Sequence, residues 1–355
     1  MLKVRRKKLE HFFDKYNLDA LLLSNLLNIR YLCGFSGSEG ALLLTRNAAW
    51  LLCDSRYTTQ AAAETTDTEI RQFSERQDAI GTLIQEQKLH RIGFESAHIT
   101  VSIFMELSSK LQGCELVSIG KDFDQIRSCK DVDEIGKLET VARLASEALQ
   151  ATLVYLKPNV SEVSFARELE FEMRRRGAEG RSFDFIVASG VRGAMPHGRA
   201  SEKLIGSGEL VTIDFGASLN GYHSDETVTV AVGKPDSRSK EIHDIVKEAH
   251  DRAIAAVRPG LSGCELDAIA RDYITEKGYG EYFGHGLGHG VGLEIHEQPV
   301  ISPRSRTIIE EGMVFTVEPG IYIPELGGVR IEDTLVVTSH GCRLLTSAPK
   351  DMFII

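Results

Sequence analysis

The feature that most constrains the fold of this sequence is an internal repeat in its second half. Residues 208–216 (G-E-L-V-T-I-D-F-G) match residues 312–320 (G-M-V-F-T-V-E-P-G), which aligns Asp214 with Glu318 at an offset of 318 − 214 = 104 residues. In both copies an apolar, strand-like segment ends in an acid, and a second acidic strand follows the next turn. The repeat therefore places acids at corresponding positions of two ribbons.

A helix is predicted before each ribbon. Residues 157–161 (K-P-N-V-S) resemble residues 258–262 (R-P-G-L-S), at an offset of 258 − 157 = 101 residues. The serine that ends each segment is a favourable N-cap, and in the second copy Glu265 has the spacing of a capping box. Gly177 and Gly278 follow at the same offset, as expected where helices end in the left-handed conformation. We therefore expect a duplicated helix-plus-ribbon unit.

The first ribbon contains a strong hairpin signal, Asn220-Gly221, because both residues tolerate positive φ. A two-residue loop there places Asp225 opposite Gly216. Asp214, two residues before Gly216, then points to the same face as Asp225 and becomes its diagonal neighbour, about 7 Å away or less. Two carboxylates this close repel each other unless a cation lies between them.

A glycine-rich segment, residues 283–297, contributes His285, His289 and His296. His285 and His289 are four residues apart, which would suit zinc on a helix. Five glycines in nine residues make a helix improbable, so the backbone must pass close to another group or turn sharply. Three histidines on such a path favour a functional site over core packing.

The acidic ribbons and this segment together supply four carboxylates and an imidazole. The carboxylates are those of Asp214, Asp225, Glu318 and Glu332. Such an oxygen-rich set suits Mn²⁺, Co²⁺ or Fe²⁺, with Zn²⁺ as a further alternative. Four carboxylates exceed what one ion needs, so we expect two divalent ions roughly 3.5 Å apart, with a bridging water that loses its proton near neutral pH. Hydrolysis of a carbonyl or phosphoryl bond is the chemistry that this arrangement serves.

Length and composition indicate two domains and exclude several classes of function. A chain of 355 residues exceeds one ordinary core. The net charge of −10 argues against nucleic acid as a partner, and no apolar run reaches the roughly 18 residues of a membrane span. The six cysteines are scattered without a C-x-x-C motif, which is typical of reduced thiols in the cytoplasm.

The domain boundary is expected near residue 125, just before a long amphipathic helix over residues 133–156. Residues 1–125 read as an α/β unit. Its predicted strands are residues 20–23, 40–44, 49–52 and 91–95, and its predicted first helix is residues 9–16. Residues 126–355 then form the second domain.

With these motifs in place, residues 130–350 resemble the pita-bread metallopeptidases, the fold of methionine aminopeptidase, prolidase and aminopeptidase P. The matching motifs are T-I-D-F-G at Asp214, S-D-x-T at Asp225, G-H-x-x-G-H-G-x-G at His289, T-V-E-P-G at Glu318 and G-G-V-R-I-E-D at Glu332. Residues 54–61, D-S-R-Y-T-x-Q-A, resemble the creatinase-like domain of the proline-specific branch. The resemblance implies an α+β protein with a creatinase-like N-terminal domain and a pita-bread catalytic domain.

The resemblance also implies a role for each matching residue. Asp214 and Asp225 would hold one metal ion, while Asp214, His289, Glu318 and Glu332 would complete the other, with carboxylates bridging. Glu318 would also take a proton from the attacking water and pass it to the leaving nitrogen.

Four further residues match substrate-handling positions of the family. His197 would contact the substrate, and His296 would stabilise the tetrahedral oxyanion. His285 would line an apolar proline pocket, and Arg330 would brace the Glu332 side of the site.

The implied activity is cleavage between an N-terminal residue and a following proline, in dipeptides or short peptides. Val228 replaces an arginine that is frequent in relatives, and Val300 lies in the Q-P-V-I segment where prolidases often carry a carboxylate-binding arginine. Arg304 and Arg306 are candidate substitutes. These departures leave open whether the protein is a strict dipeptidase or an aminopeptidase for longer peptides.

Three other functions remain as alternatives. A metal-free creatinase-type hydrolase and a catalytically silent binding module are disfavoured because all five ligand types are present. A methionine aminopeptidase is disfavoured by the long N-terminal domain. For that domain we expect roles in homodimer formation and in substrate access.

Overall fold

The computed structural model describes residues 2–355, including every side chain except those of residues 2, 3, 121 and 122. The chain divides into two compact units, Met1–Arg127 and Ser128–Ile355. The division falls 127 − 125 = 2 residues after the boundary that we expected from the sequence. No helix within residues 2–355 has both the length and the apolar character needed to cross a membrane.

The first unit is a six-stranded sheet with helices. Its strands are β1 Ala20–Leu23, β2 Ala41–Leu44, β3 Ala49–Asp54, β4 Glu69–Phe73, β5 Arg91–Glu95 and β6 Glu115–Ile119. Its helices are α1 Leu2–Lys7, α2 Glu10–Tyr16, α3 Leu26–Cys33, α4 Thr58–Glu64, α5 Arg76–Glu86 and α6 Val101–Lys110. The strand order is β4-β3-β2-β1-β5-β6. The β1–β2 and β2–β3 pairs are antiparallel, and the other three pairs are parallel.

Continuous apolar runs make the central strands of this sheet recognisable in the sequence. Every residue of β1 and of β2 is buried, as expected for strands covered on both faces. The predicted strand at residues 20–23 is therefore confirmed. The polar segment that forms α4 was not predicted as a helix, because Ala61 is its one buried residue and no apolar periodicity marks it.

The second unit contains the repeat. Its helices are α7 Val132–Thr152, α8 Glu162–Arg175, α9 Ser237–Ala256 and α10 Gly263–Glu276. Its strands up to α9 are β7 Gly180–Arg181, β8 Ile186–Ser189, β9 Glu209–Phe215, β10 Ala217–Leu219, β11 Tyr222–His223 and β12 Glu226–Val232. Those after α10 are β13 Gly288–Gly290, β14 Glu297–Ile301, β15 Val314–Val317, β16 Gly320–Ile323, β17 Gly327–Arg330, β18 Asp333–Val337 and β19 Cys342–Leu344.

The helices of the repeat begin and end at the predicted residues. The side chain of Ser161 caps α8, and Ser262 with Glu265 forms a complete capping box on α10. Such a cap contributes about 1 kcal/mol to helix stability. Gly177 and Gly278, which follow the two helices, have φ of 106° and 87°. A side chain at either glycine would strain the backbone in this left-handed region.

Each copy of the repeat has its own antiparallel ribbon and its own apolar cluster. β9 pairs with β12 in the order β12-β9-β8, and β15 pairs with β18 in the order β14-β13-β15-β18-β19. Side chains of α7, α8, β9 and β12 form one buried cluster, and those of α9, α10, β15 and β18 contribute to the other. The predicted α+β architecture with a duplicated helix-plus-ribbon unit is confirmed.

A short bridge joins the two ribbons. The backbone N–H of Glu332 donates to the carbonyl oxygen of Thr227 at 3.1 Å. The hydroxyl of Thr227 in turn donates to Glu332 Oε2 at 2.6 Å. Because Thr227 lies on β12 and Glu332 precedes β18, this bridge brings the acidic ends of the two copies together.

Candidate metal centre and active-site cavity

Asp214 and Asp225 lie on a hairpin whose register is the predicted one. Asn220 and Gly221 form its loop with φ of 53° and 75°. Further along the ladder, Asp214 on β9 is paired with Thr227 on β12. Asp225 lies two residues before Thr227, so it is the diagonal neighbour of Asp214 on the same face. Turn chemistry thus sets the position of the first two carboxylates.

The second pair of carboxylates occupies the corresponding end of the other ribbon. Val317 at the end of β15 pairs with Asp333 at the start of β18. Glu318 follows Val317 and Glu332 precedes Asp333, so both carboxylates extend from the point where this ladder ends. Glu332 is held there by its hydrogen bond from Thr227.

His289 completes the cluster from β13. Its Nδ1 lies 3.1 Å from the carbonyl oxygen of Gly290, which assigns the ring proton to Nδ1. Its Nε2 then faces the acids as an acceptor, 3.3 Å from Glu318 Oε1 and 3.5 Å from Asp225 Oδ2. An unprotonated Nε2 among carboxylates is the form in which histidine binds a metal ion.

The glycines around His289 allow the backbone to pass close to its neighbours. A Cβ atom on Gly288 would collide with the carbonyl oxygen of Thr316, and one on Gly290 would collide with that of Gln298. The segment is extended at this point, so the prediction that it is not helical is confirmed.

The five side chains fit a site for divalent cations. Donor atoms of Asp225, His289 and Glu332 all lie within 4.8 Å of one another. Burial, followed by repulsion from neighbouring carboxylates, raises the pKa of Asp225 and of Glu332 well above its ordinary value. Among the residues that the structure describes, the buried Asp214 Oδ1 has no hydrogen-bond partner. Bound cations would supply the charge and the coordination that these groups lack.

The grouping within the cluster differs from the one that we expected. From the sequence we expected Asp214 and Asp225 on one ion, and Asp214 with His289, Glu318 and Glu332 on the other. In the structure His289 lies beside Asp225 and Glu318, and Asp225 also groups with Glu332. Asp225 contacts the second ribbon directly, because the hydroxyl of Thr334 on β18 donates to its carbonyl oxygen at 2.7 Å.

Arg330 binds Asp214 directly and reaches the Glu332 side of the site through Thr227. Its Nε donates to the hydroxyl of Thr227 at 3.4 Å, and that hydroxyl donates to Glu332. Arg330 is 3% exposed and donates to Asp214 Oδ2 at 2.6 Å, to the hydroxyl of Tyr322 at 2.9 Å and to the carbonyl oxygen of Pro196 at 3.2 Å. Together with the hydroxyl of Thr227, these acceptors fix the guanidinium, and through it one oxygen of Asp214.

The other histidines surround the same centre. His285 Nε2 lies 2.8 Å from the hydroxyl of Tyr322, and the ring of His296 lies 4.3 Å from the ring of His289. Burial lowers the pKa of His285 and of His296, so both are neutral near pH 7. The N–H of His285 donates to the carbonyl oxygen of Gly286 at 2.8 Å, so of these two imidazoles it is His296 that can donate to a substrate without adding charge.

The loop that carries His197 is fastened at both ends by one buried carboxylate. Glu162, fully buried at the start of α8, accepts from the backbone and hydroxyl of Ser189 at 2.8 Å each. It also accepts from the hydroxyl of Ser201 at 2.7 Å and from Arg192. His197 lies between Ser189 and Ser201, so Glu162 fixes the loop without touching the cavity.

All nine residues predicted for the site line a single cavity of about 520 Å³. They are Asp214, Asp225, His289, Glu318, Glu332, His197, His285, His296 and Arg330. The cavity wall also includes Phe183, Asp184, Ile186, Arg199 and Tyr322, which the sequence analysis did not identify. Tyr322 is flanked by isoleucines on β16 and reads as an ordinary core residue, so no sequence signal distinguishes it.

The two departures noted in the sequence fall in different environments. Val228 is 1% exposed and packs in the apolar cluster of the first ribbon. Val300 is 43% exposed and lines the cavity. Arg304 and Arg306 are not among the cavity-lining residues in the part of the chain that the structure describes.

Comparison with known proteins agrees with this arrangement. Residues 136–339 match the profile of metallopeptidase family M24, and residues 5–129 match that of the creatinase/prolidase N-terminal domain. The chain is 38% identical over 346 residues to the Xaa-Pro dipeptidase of Pyrococcus horikoshii, which covers 98% of this chain and 97% of that protein.

Two solved structures are similar along almost their whole length. The Xaa-Pro dipeptidase from Bacillus anthracis superimposes with a TM-score of 0.97 at 44% identity, covering 100% of both chains. The X-Pro aminopeptidase from Thermotoga maritima superimposes with a TM-score of 0.90 at 40% identity, covering 96% of this chain and 99% of that one. The family resemblance drawn from the motifs is confirmed: this chain belongs to metallopeptidase family M24 and is a divalent-metal-dependent peptidase with a creatinase/prolidase N-terminal domain.

Proposed function

We propose that this protein hydrolyses the peptide bond between an N-terminal residue and a following proline. The observation that carries the proposal is the convergence of four carboxylates and His289 in a cavity that three further histidines line. Relatives named Xaa-Pro dipeptidase and X-Pro aminopeptidase, similar over nearly the whole chain, support the same specificity.

Two divalent ions, Mn²⁺ or Co²⁺ with Fe²⁺ and Zn²⁺ as alternatives, would be held by the five clustered side chains. Asp225, His289, Glu318 and Glu332 would hold one ion, while Asp214 would hold the second and share Asp225 and Glu332 with the first. Bound divalent ions of this kind polarise a carbonyl group and make water acidic enough to attack it at neutral pH.

Glu318 is the residue placed to move the proton. It is partly shielded in the cavity, where Thr316 donates to its Oε1 at 3.1 Å. A carboxylate at this position would take a proton from the attacking water and deliver it to the proline nitrogen as the bond breaks. Such a protonation is needed because the proline nitrogen leaves as an amine and not as an anion.

Three histidines would handle the substrate. His296, next to His289, would donate to the oxygen of the tetrahedral intermediate, and His197 would contact the peptide from the loop that Glu162 fastens. His285 packs edge-on against Phe283, with ring centroids 5.1 Å apart, and is held by Tyr322. It would form one wall of a pocket for the proline ring.

The alternatives from the sequence analysis remain less well supported. A metal-free hydrolase or a silent binding module gives no reason for a buried cluster of four carboxylates beside an unprotonated imidazole. A methionine aminopeptidase gives no reason for the creatinase/prolidase domain over residues 5–129. Cytoplasmic location, a homodimer and a role of the N-terminal domain in substrate access stay predictions.

The test is a peptidase assay with controlled metal content. We expect the chelated protein to be inactive, and Mn²⁺ or Co²⁺ to restore cleavage of Ala-Pro but not of Ala-Ala. Glu318→Gln should abolish cleavage while much of the metal content is retained. Glu325→Gln, at an exposed position in the turn between β16 and β17, is the control and should remain active. Activity that is indifferent to a chelator, or equal cleavage of the two dipeptides, would contradict the proposal.

A further inference from the structure

The cavity wall contains two arginines, and they differ in availability. Arg330 is 3% exposed, and its donors are taken up by Asp214, Tyr322 and Pro196. Arg199 lines the same cavity with a side chain that is 76% exposed. Of these two guanidinium groups, that of Arg199 is therefore the one able to bind a ligand at the mouth of the cavity.

Arg199 belongs to a small charged cluster with an excess of positive charge. Asp184 Oδ2 lies 2.9 Å from Arg199 Nη1, and Asp184 Oδ1 lies 2.6 Å from Arg181 Nη2. Arg181 also lies 3.9 Å from Glu170, which is paired with Arg174 at 3.0 Å. Three arginines thus share two carboxylates, which leaves one positive charge uncompensated. Asp184 occupies one nitrogen of Arg199, whereas a guanidinium has five N–H donors, so a second carboxylate can bind alongside.

The backbone of Arg199 is fixed although its side chain is exposed. Arg192 Nη2 donates to the carbonyl oxygen of Arg199 at 2.8 Å, and Arg192 is itself paired with the buried Glu162. Arg199 is also two residues beyond His197 on the loop that Glu162 fastens. The backbone of Arg199 is therefore held beside the cavity, next to a residue that is expected to touch the substrate, and the ion pair with Asp184 limits where its guanidinium can lie.

A substrate of the proposed function that consists of two residues carries a free carboxylate on its proline. From these observations we propose that Arg199 binds this carboxylate and so gives the site a preference for Xaa-Pro dipeptides over longer peptides. The inference rests on the proposed function and deepens it. Recognition of the carboxylate is thereby assigned to the loop of His197, because β14 contributes Val300 and no cation to the cavity wall.

The test compares Ala-Pro with Ala-Pro amide, which has the same shape but no negative charge. With the metal-loaded protein we expect a higher kcat/KM for Ala-Pro. Arg199→Gln should lower kcat/KM for Ala-Pro about tenfold, the lower end for an exposed charge-assisted hydrogen bond, mainly through KM. The same change should leave kcat/KM for Ala-Pro amide nearly unchanged. Arg199→Lys keeps the charge and should recover part of the loss.

Arg181→Gln is the matched control. This change also removes one positive charge beside Asp184. Among the residues that the structure describes, however, Arg181 does not line the cavity. The ratio of kcat/KM for the two peptides should therefore stay near that of the unchanged protein.

The outcomes separate this proposal from the proposed function. Cleavage of both peptides with equal kcat/KM, or an equal loss for both in Arg199→Gln, would overturn the role of Arg199 and leave Xaa-Pro cleavage standing. Preference for Ala-Pro-Ala over Ala-Pro would also overturn it. Cleavage of none of these peptides by the metal-loaded protein would overturn the proposed function and this proposal with it.

Discussion

Arg330 holds Oδ2 of Asp214 at 2.6 Å, while Oδ1 of the same carboxylate is buried without a hydrogen-bond partner among residues 2–355. The arginine therefore orients the free oxygen of Asp214 toward the other acids. Because the same guanidinium also binds Tyr322 and the carbonyl oxygen of Pro196, it couples three parts of the cavity wall.

Arg330→Lys should accordingly weaken metal binding and catalysis. A lysine ammonium cannot reach the four acceptors of Arg330 with one fixed geometry. Loss of such a supporting group typically costs about 10- to 100-fold in metal affinity or activity. Metal content at fixed free Mn²⁺ and kcat/KM for Ala-Pro measure the effect. Arg343→Lys, at an exposed arginine paired with Glu139, is the control. Unchanged metal affinity and activity in Arg330→Lys would show that the brace is unimportant.

Asp225→Asn should stabilise the protein when metal is absent. Burial and then the neighbouring carboxylates Glu332, Asp214 and Glu318 raise the pKa of Asp225, which means that its charged form is unfavourable in the metal-free fold. Removing the charge should raise stability by about 1 kcal/mol, a rise in Tm of roughly 2–4 °C for a unit of this size.

Thermal unfolding with a chelator and with Mn²⁺ tests this expectation. Mn²⁺ should raise the Tm of the unchanged protein by more than that of Asp225→Asn, because the variant has lost a ligand. A variant that unfolds at a lower temperature than the unchanged protein in the presence of chelator would contradict the idea that repulsion within the cluster destabilises the metal-free fold.

Glu162→Gln should loosen the loop of His197. The amide keeps the volume but cannot accept from Ser189, Ser201 and Arg192 together, and a buried charge-assisted network of this kind is worth about 1–3 kcal/mol. We expect lower stability and a raised KM for Ala-Pro, with metal content unchanged. Glu168→Gln, exposed on the same helix, should alter neither quantity. A loss of stability with an unchanged KM would mean that Glu162 supports the fold but not the site.

His243 should make stability depend on pH below neutrality. It is 1% exposed on α9, and burial lowers its pKa from the ordinary value of 6.5. Below about pH 6.5 the unfolded chain therefore binds a proton that the folded protein excludes. The contribution of His243 to folding stability is fully present above that pH and is lost as the pH falls toward the lowered pKa. The loss is at most about 1.4 kcal/mol per pH unit.

Urea unfolding between pH 7 and pH 5.5 should show a smaller loss of stability in His243→Phe than in the unchanged protein. The comparison must use a single replacement, because His250 on the same helix acts in the opposite sense. Burial alone would lower the pKa of His250, but hydrogen bonds to Asp251 and Asp333 outweigh burial and leave this pKa above its ordinary value. The contribution of His250 to stability is therefore lost as the pH rises. His340→Gln, at an exposed site, is the control. Parallel curves for His243→Phe and the unchanged protein would refute the assignment.

The parts of this site that the sequence predicts are those set by local backbone rules. Asn220 and Gly221 require a turn with positive φ, and one turn fixes the register of both strands and hence the positions of Asp214 and Asp225. Repetition then predicts the second pair, because Glu318 and Glu332 occupy the same places on a copy of the ribbon. The limits of α8 and α10 follow equally from their caps.

The parts that the sequence does not predict depend on contacts between distant segments. Tyr322 meets Arg330 across the β16–β17 hairpin, but it contacts His285, 37 residues earlier, only through the tertiary fold. Its neighbours in the sequence resemble any buried strand. In the sequence Glu162 looks like an ordinary acid in the first turn of a helix. Its role depends on contacts with Ser189 and Ser201, which only the folded structure shows. The grouping of Asp225 with His289 likewise depends on the Thr227–Glu332 bridge, which joins residues 332 − 227 = 105 positions apart.

That bridge has a consequence for how the working enzyme could be assembled. Asp214 and Asp225 precede α9, whereas His289, Glu318 and Glu332 follow α10, so neither copy of the repeat owns a complete set of donors. If the chain were cut between β12 and α9, the two fragments would regain activity only by meeting, and the initial rate of recovery would rise with the square of their concentration. Such complementation would give a direct readout of how tightly two halves of an ancient duplication still recognise each other.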